Sequence, residues 1–125
     1  MEKHFGEHIT IDGYGADKDL LNDSEFIVKF LKDLVDKVEM NILFGPEIVF
    51  APANNKKDPG GWSAFVIVAE SHISIHTFPE KGFLSADVYT CKNGMDREKI
   101  KSIFRDAFKI QEIEDNFILR GKKYV

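Results

Sequence analysis

The stretch Trp62-Ser-Ala-Phe-Val-Ile-Val-Ala-Glu-Ser-His-Ile-Ser-Ile-His-Thr-Phe-Pro-Glu-Lys-Gly-Phe-Leu-Ser-Ala-Asp-Val-Tyr-Thr-Cys91 decides the fold. Its β-branched and aromatic residues fall into three short runs, 62–69, 72–78 and 84–91, each of strand length and bounded by turn chemistry. Pro79-Glu-Lys-Gly82 separates the last two, which therefore pair as an antiparallel hairpin. Side chains alternate between the two faces of a strand. Leu84, Ala86 and Val88 form one apolar set, with Ser85, Asp87, Tyr89 and Cys91 opposite; Ile73 and Ile75 form another, with His72, Ser74 and His76 opposite. One face of this sheet reads as core, and the other carries the reactive side chains.

Outward from this segment the pattern stays legible. Residues 8–14 alternate around Ile9 and Ile11 and read as a first strand. Phe26, Ile27, Phe30, Leu31, Leu34, Val35 and Val38 recur at helical spacing, with Ser24 as the expected N-cap. Residues 41–50 are apolar but broken by Gly45-Pro46, which suggests a bent or interrupted strand. Residues 52–61, rich in Asn, Lys, Pro and Gly, read as a loop. Asp96 is placed to cap a second helix that buries Ile100, Ile103, Phe104 and Phe108, and residues 110–119 read as a last strand or strand pair. The order β-α-β-β-β-β-α-β implies an α+β fold, a two-layer sandwich with an antiparallel sheet and two helices on one face. No linker or internal repeat interrupts it, so the expectation is a single domain over residues 1–125.

Composition narrows the function. The 43% hydrophobic content, with 11 Phe, supports a packed core. Seventeen basic against 21 acidic residues give a net charge of −4, without the basic face of a nucleic-acid binder. The longest apolar stretch, residues 62–69, is far short of the roughly 20 residues that span a membrane. The segment Met1-Glu-Lys-His-Phe-Gly6 has no apolar region of the secretory type, and a lone cysteine fits a reducing compartment. The expectation is a cytoplasmic protein with a small-molecule substrate and neither nucleic-acid nor membrane partners. His72 and His76 do not suggest zinc, because residues four apart on a strand lie roughly 13 Å from each other. No metal is expected.

The spacing within the central segment is specific. Glu70-Ser71 is followed by His76 five residues after the serine and by Cys91 twenty after it, and Ser63 precedes it by eight. This set resembles the signature of the prokaryotic S-adenosylmethionine decarboxylases, which are self-processing pyruvoyl enzymes, and the plan matches over residues 5–121. The resemblance implies cleavage between Glu70 and Ser71 into a β chain, 1–70, and an α chain, 71–125. Ser71 would become the pyruvoyl cofactor, which takes the place of pyridoxal phosphate. His76 and Ser63 would transfer protons during processing, a role suited to a histidine. Cys91 would reprotonate the decarboxylated substrate, and Glu80 would bind ribose hydroxyls. The family pairs its sheets face to face, which implies a homodimer of αββα layers and a place in spermidine synthesis.

Two features depart from the family pattern. Phe78 stands where a tryptophan is common, and residues 42–61 differ where an aromatic side chain usually stacks on adenine. Phe44 and Phe50 are the candidates there. Some members of the family act on ornithine or arginine, and Glu47, Asp58 and Asp87 are carboxylates available for their distal cation. The resemblance makes S-adenosylmethionine the default substrate, with arginine or ornithine as the alternative and a non-catalytic relative as the remaining reading. Ser71 and His76 differ by an odd number, so the chain is expected to bulge or turn near Ser71, with strain that favours processing.

Overall fold

The computed structural model describes residues 4–54 and 58–124. Six strands form one antiparallel sheet: β1 (Gly6–Tyr14), β2 (Ile42–Ala51), β3 (Gly61–Val68), β4 (Ser71–Phe78), β5 (Phe83–Thr90) and β6 (Glu112–Arg120). Their spatial order is β2-β3-β4-β5-β1-β6. Strands β2 to β5 thus follow one another as a meander, whereas β1 is inserted between β5 and β6. The expected α+β sandwich is the observed architecture.

Helix α2 (Ser24–Lys37) lies over β2 and β3, and α3 (Arg97–Phe108) over β1 and β6. Ile27, Leu31 and Leu34 of α2 and Ile100, Phe104 and Phe108 of α3 are buried against Ile9, Ile11, Val66, Ile73, Ile75, Leu84 and Val88 of the sheet. Phe30 meets the rings of Phe104 and Phe108 edge to face, both at 4.9 Å. Each fully buried side chain of this size contributes about 1.5–3 kcal/mol. The apolar parity of β4 and β5 is the core parity, as the alternation implies.

Three local features differ from expectation. The N-cap of α2 is Asp23, whose carboxylate accepts the Phe26 N–H at 3.0 Å, and Ser24 is the first helical residue. An aspartate gives the same capping geometry and adds a negative charge at the positive helix end. A one-turn helix α1 (Lys18–Leu21), capped by Asp17, precedes it. The turn 79–82 contains a short 3-10 segment (Pro79–Lys81) closed by Gly82 in the left-handed conformation, φ 62°. Strand β2 is bent as expected, with its register to β3 shifting on either side of Phe44.

Candidate active site

Strands β3 and β4 are joined by the two-residue turn Ala69-Glu70, and Val68 pairs with Ser71 across it. Glu70 has φ 64°, a left-handed conformation that costs a non-glycine residue about 1–2 kcal/mol. The expected turn is therefore present, immediately before Ser71. No bulge follows it: β4 pairs with β3 without interruption, so Ser71 keeps the parity of Ile73 and Ile75. Ser71 is buried and His76 is exposed on the opposite face. The expectation that the chain bends to bring both onto one face is corrected. An unbroken ladder preserves alternation through five residues, about 16 Å of strand.

Ser71 has a different companion. Strand β5 ends at Thr90, so Cys91 is the first residue beyond the ladder. Its backbone N–H donates to Ser71 Oγ at 2.8 Å, and its Sγ lies 4.0 Å from the Ala69 carbonyl oxygen. A small cavity of about 190 Å³ opens here, with Asn41, Ala69, Glu70, Cys91 and Lys92 in its wall. A serine hydroxyl, the peptide bond before it and a thiol thus share one end of the β3–β4 hairpin. Ser71 fits as the source of a pyruvoyl group, since its hydroxyl is fixed beside the bond it would attack.

The second reactive pair sits in the outer face of the sheet. Ser63 and His76 are direct partners in the β3–β4 register, and Ser63 Oγ lies 2.8 Å from His76 Nδ1. The partner of His76 in β5 is Ser85. Ser85 lines an open cavity of about 560 Å³ with Tyr14, Asp58, Phe78 and Phe83. The Tyr14 and Phe83 rings are 5.3 Å apart, and those of Phe78 and Phe83 5.4 Å. Tyr14 donates to Glu114, and this hydrogen bond to a carboxylate pushes its phenol up to about 12. Glu80 is exposed on the 3-10 segment.

The aromatic candidates read from the sequence lie elsewhere. Phe44 stacks on Phe65 with centroids 6.2 Å apart, and Phe50 meets Trp62 edge-on at 5.2 Å. Neither lines the cavity beside Ser85. Among the proposed distal-cation carboxylates, Asp87 bonds His8 Nε2 at 2.9 Å and accepts from Ser74 at 3.4 Å, while Glu47 is exposed opposite Phe65. Tyr14 and Phe83 escaped the sequence reading. Their outward parity was a usable signal, but the β1–β5 pairing that brings them together was not. Among the described residues, no cluster of three or more His, Cys, Asp or Glu could hold a metal, and no helix is long and apolar enough to cross a membrane.

Comparison with known proteins identifies the family. A family model described as S-adenosylmethionine decarboxylase matches residues 7–121. The S-adenosylmethionine decarboxylase proenzyme of Clostridium botulinum (strain Langeland) is 35% identical over 120 residues, covering 96% of this chain and 97% of the relative. The proenzyme of the same name from Brevibacillus brevis is 37% identical over 117 residues, covering 94% and 83%. That from Pyrococcus horikoshii is 34% identical over 116 residues, covering 93% and 78%. The crystal structure of the adenosylmethionine decarboxylase from Aquifex aeolicus superposes with a TM-score of 0.79 at 28% identity, covering 95% of this chain and 92% of that one. With the match spanning nearly the whole chain, the protein belongs to the S-adenosylmethionine decarboxylase family and is a carboxy-lyase.

Proposed function

We propose that this protein cleaves itself between Glu70 and Ser71, converts Ser71 into a pyruvoyl group and decarboxylates S-adenosylmethionine. The observation that carries this reading is the held hydroxyl of Ser71, 2.8 Å from the Cys91 N–H and directly after the left-handed Glu70. Strain stored beside a scissile bond favours its rearrangement. Ser71 Oγ attacks the Glu70 carbonyl carbon, and the Ser71 nitrogen leaves with a proton, so the amide becomes an ester. Removal of the Ser71 α-proton expels the Glu70 carboxylate and leaves a dehydroalanine. Tautomerisation and hydrolysis of its imine release ammonia. Residues 1–70 and 71–125 stay together as two chains of one domain.

The pyruvoyl group supplies an electron-accepting carbonyl for the decarboxylation, the task of pyridoxal phosphate in other enzymes. In this reading His76 with Ser63 moves protons during processing. The Cys91 thiol returns a proton to the substrate carbon after CO₂ leaves. Glu80 binds the ribose hydroxyls, and the Tyr14, Phe78 and Phe83 cavity offers aromatic faces to a planar base. Asp58, in the same wall, favours arginine or ornithine as a second substrate reading, although its carboxylate already accepts the Gly60 N–H at 2.8 Å.

The exposed apolar residues of the outer sheet face support a homodimer. Stacking two such faces would cover Phe44, Val49, Phe65, Ile67 and Ile118, all exposed in one chain. We place the enzyme in the cytoplasm, with its product serving as aminopropyl donor for spermidine synthesis. A carboxyl-label release assay on S-adenosylmethionine, arginine and ornithine tests the reading. Release from S-adenosylmethionine is expected, and release from arginine or ornithine alone would replace the substrate.

A further inference from the structure

At the start of β1 a buried carboxylate reaches across to the loop that follows Cys91. Glu7, only 5% exposed, accepts the Met95 N–H at 2.7 Å through Oε1 and the Gly94 N–H at 3.1 Å through Oε2. Its Oε2 also lies 3.1 Å from His4 Nε2, and the His4 carbonyl accepts Asn93 Nδ2 at 3.4 Å. Burial by itself would raise the Glu7 carboxyl, but the Met95 and Gly94 amides and His4 outweigh it and hold it below the ordinary carboxylate value. A buried carboxylate is costly unless fully bonded, and simple packing would be served better by an apolar side chain.

The position of this cluster matters because β5 stops at Thr90. Residues 91–95 have no strand partner to fix them, and their backbone is held by side chains. Besides Glu7, Thr90 Oγ1 accepts the Lys92 N–H at 3.0 Å. Strand β1 also presses on the same place: a Cβ on Gly6 would sit 2.4 Å from the Thr90 carbonyl oxygen and 3.2 Å from Cys91 Cα. Nothing larger than glycine fits there without moving the Thr90 carbonyl, which is bonded to Cys91.

We infer that Glu7 is a positioning residue for self-cleavage: by gripping the Gly94 and Met95 amides it fixes the loop carrying Cys91, whose N–H holds the Ser71 hydroxyl. The inference rests on the self-cleavage reading above. Glu7 touches no reacting atom and acts only through this chain of hydrogen bonds.

The test follows precursor decay on denaturing gels after cell-free synthesis of the full chain, with folding checked by circular dichroism. Glu7→Val is expected to slow cleavage by about 10- to 100-fold, the scale of a displacement near 1 Å. Glu7→Gln, which keeps the shape and one carbonyl acceptor, is expected to fall between. Phe104→Leu, in the core away from the loop, controls for lost stability and is expected to cleave at the wild-type rate. Wild-type rates in both Glu7 variants, or equal slowing by Phe104→Leu, overturn the inference and leave self-cleavage standing. A wild-type chain that never cleaves overturns the self-cleavage reading and this inference with it. If Glu7→Val does not fold, Glu7→Gln decides: slowed cleavage supports the role, and the wild-type rate defeats it.

Discussion

Ser63 and His76 face each other across the β3–β4 ladder with Oγ and Nδ1 2.8 Å apart, on the face of the sheet opposite to Ser71. The reactive residues are therefore divided between two places in one chain. That division shapes what mutants should do.

Chains carrying Ser71→Ala and chains carrying His76→Ala are each expected to be inactive. Precursor decay on denaturing gels and a decarboxylation assay on each purified variant measure it, and full processing and activity in His76→Ala would remove that residue from the mechanism.

Processing and turnover should separate at Cys91. Intact mass of wild type should give residues 1–70 and 71–125 as separate chains, the second without a free amino terminus. Ser71→Ala should stay uncleaved and inactive. Cys91→Ala retains the backbone N–H that holds Ser71, so it should still cleave while decarboxylation falls by about 10²-fold. Full steady-state activity in Cys91→Ala would remove the thiol from the mechanism.

Glu7 should make stability depend on acid pH. Its carboxyl titrates below its ordinary 4.5 in the folded chain because amide and His4 hydrogen bonds overcome the cost of burial. A lowered folded value means the stabilisation is complete above that ordinary value and is lost as pH falls through the lowered one. At neutral pH, Glu7→Gln is expected to cost about 1–3 kcal/mol. The gap from wild type should narrow as the solution is acidified below the ordinary carboxylate range. Thermal melts across this window check it, and a gap that stays constant would contradict the assignment.

Tyr14 should titrate at about 12, because ionising it beside the Glu114 carboxylate breaks a hydrogen bond and places two negative charges together. Glu114→Gln is expected to bring the phenol back toward its ordinary value of 10.0. Ultraviolet titration of phenolate absorbance, with Tyr14→Phe to identify the signal, measures the change. An unmoved titration would mean that the Tyr14–Glu114 bond is not formed in solution.

The sequence by itself determined the local architecture and the reactive set. Strand alternation, helical spacing and the turn at 79–82 are short-range signals, so the core parity of Ile73, Ile75, Leu84 and Val88 could be read directly. The spacing of Ser63, Ser71, His76 and Cys91 was equally plain. The choice of Asp23 over Ser24 as a cap was not, since adjacent residues of similar capping strength are separated only by the backbone each adopts. Tertiary structure alone decided the rest. Inserting β1 beside β5 puts Glu7 opposite Thr90 and Tyr14 beside Phe83, and ending β5 at Thr90 sends Cys91 to Ser71. The Glu7–Thr90, Tyr14–Phe83 and Cys91–Ser71 contacts join residues 83, 69 and 20 apart in the chain, and periodicity, which relates only near neighbours, cannot encode which distant strand becomes a partner.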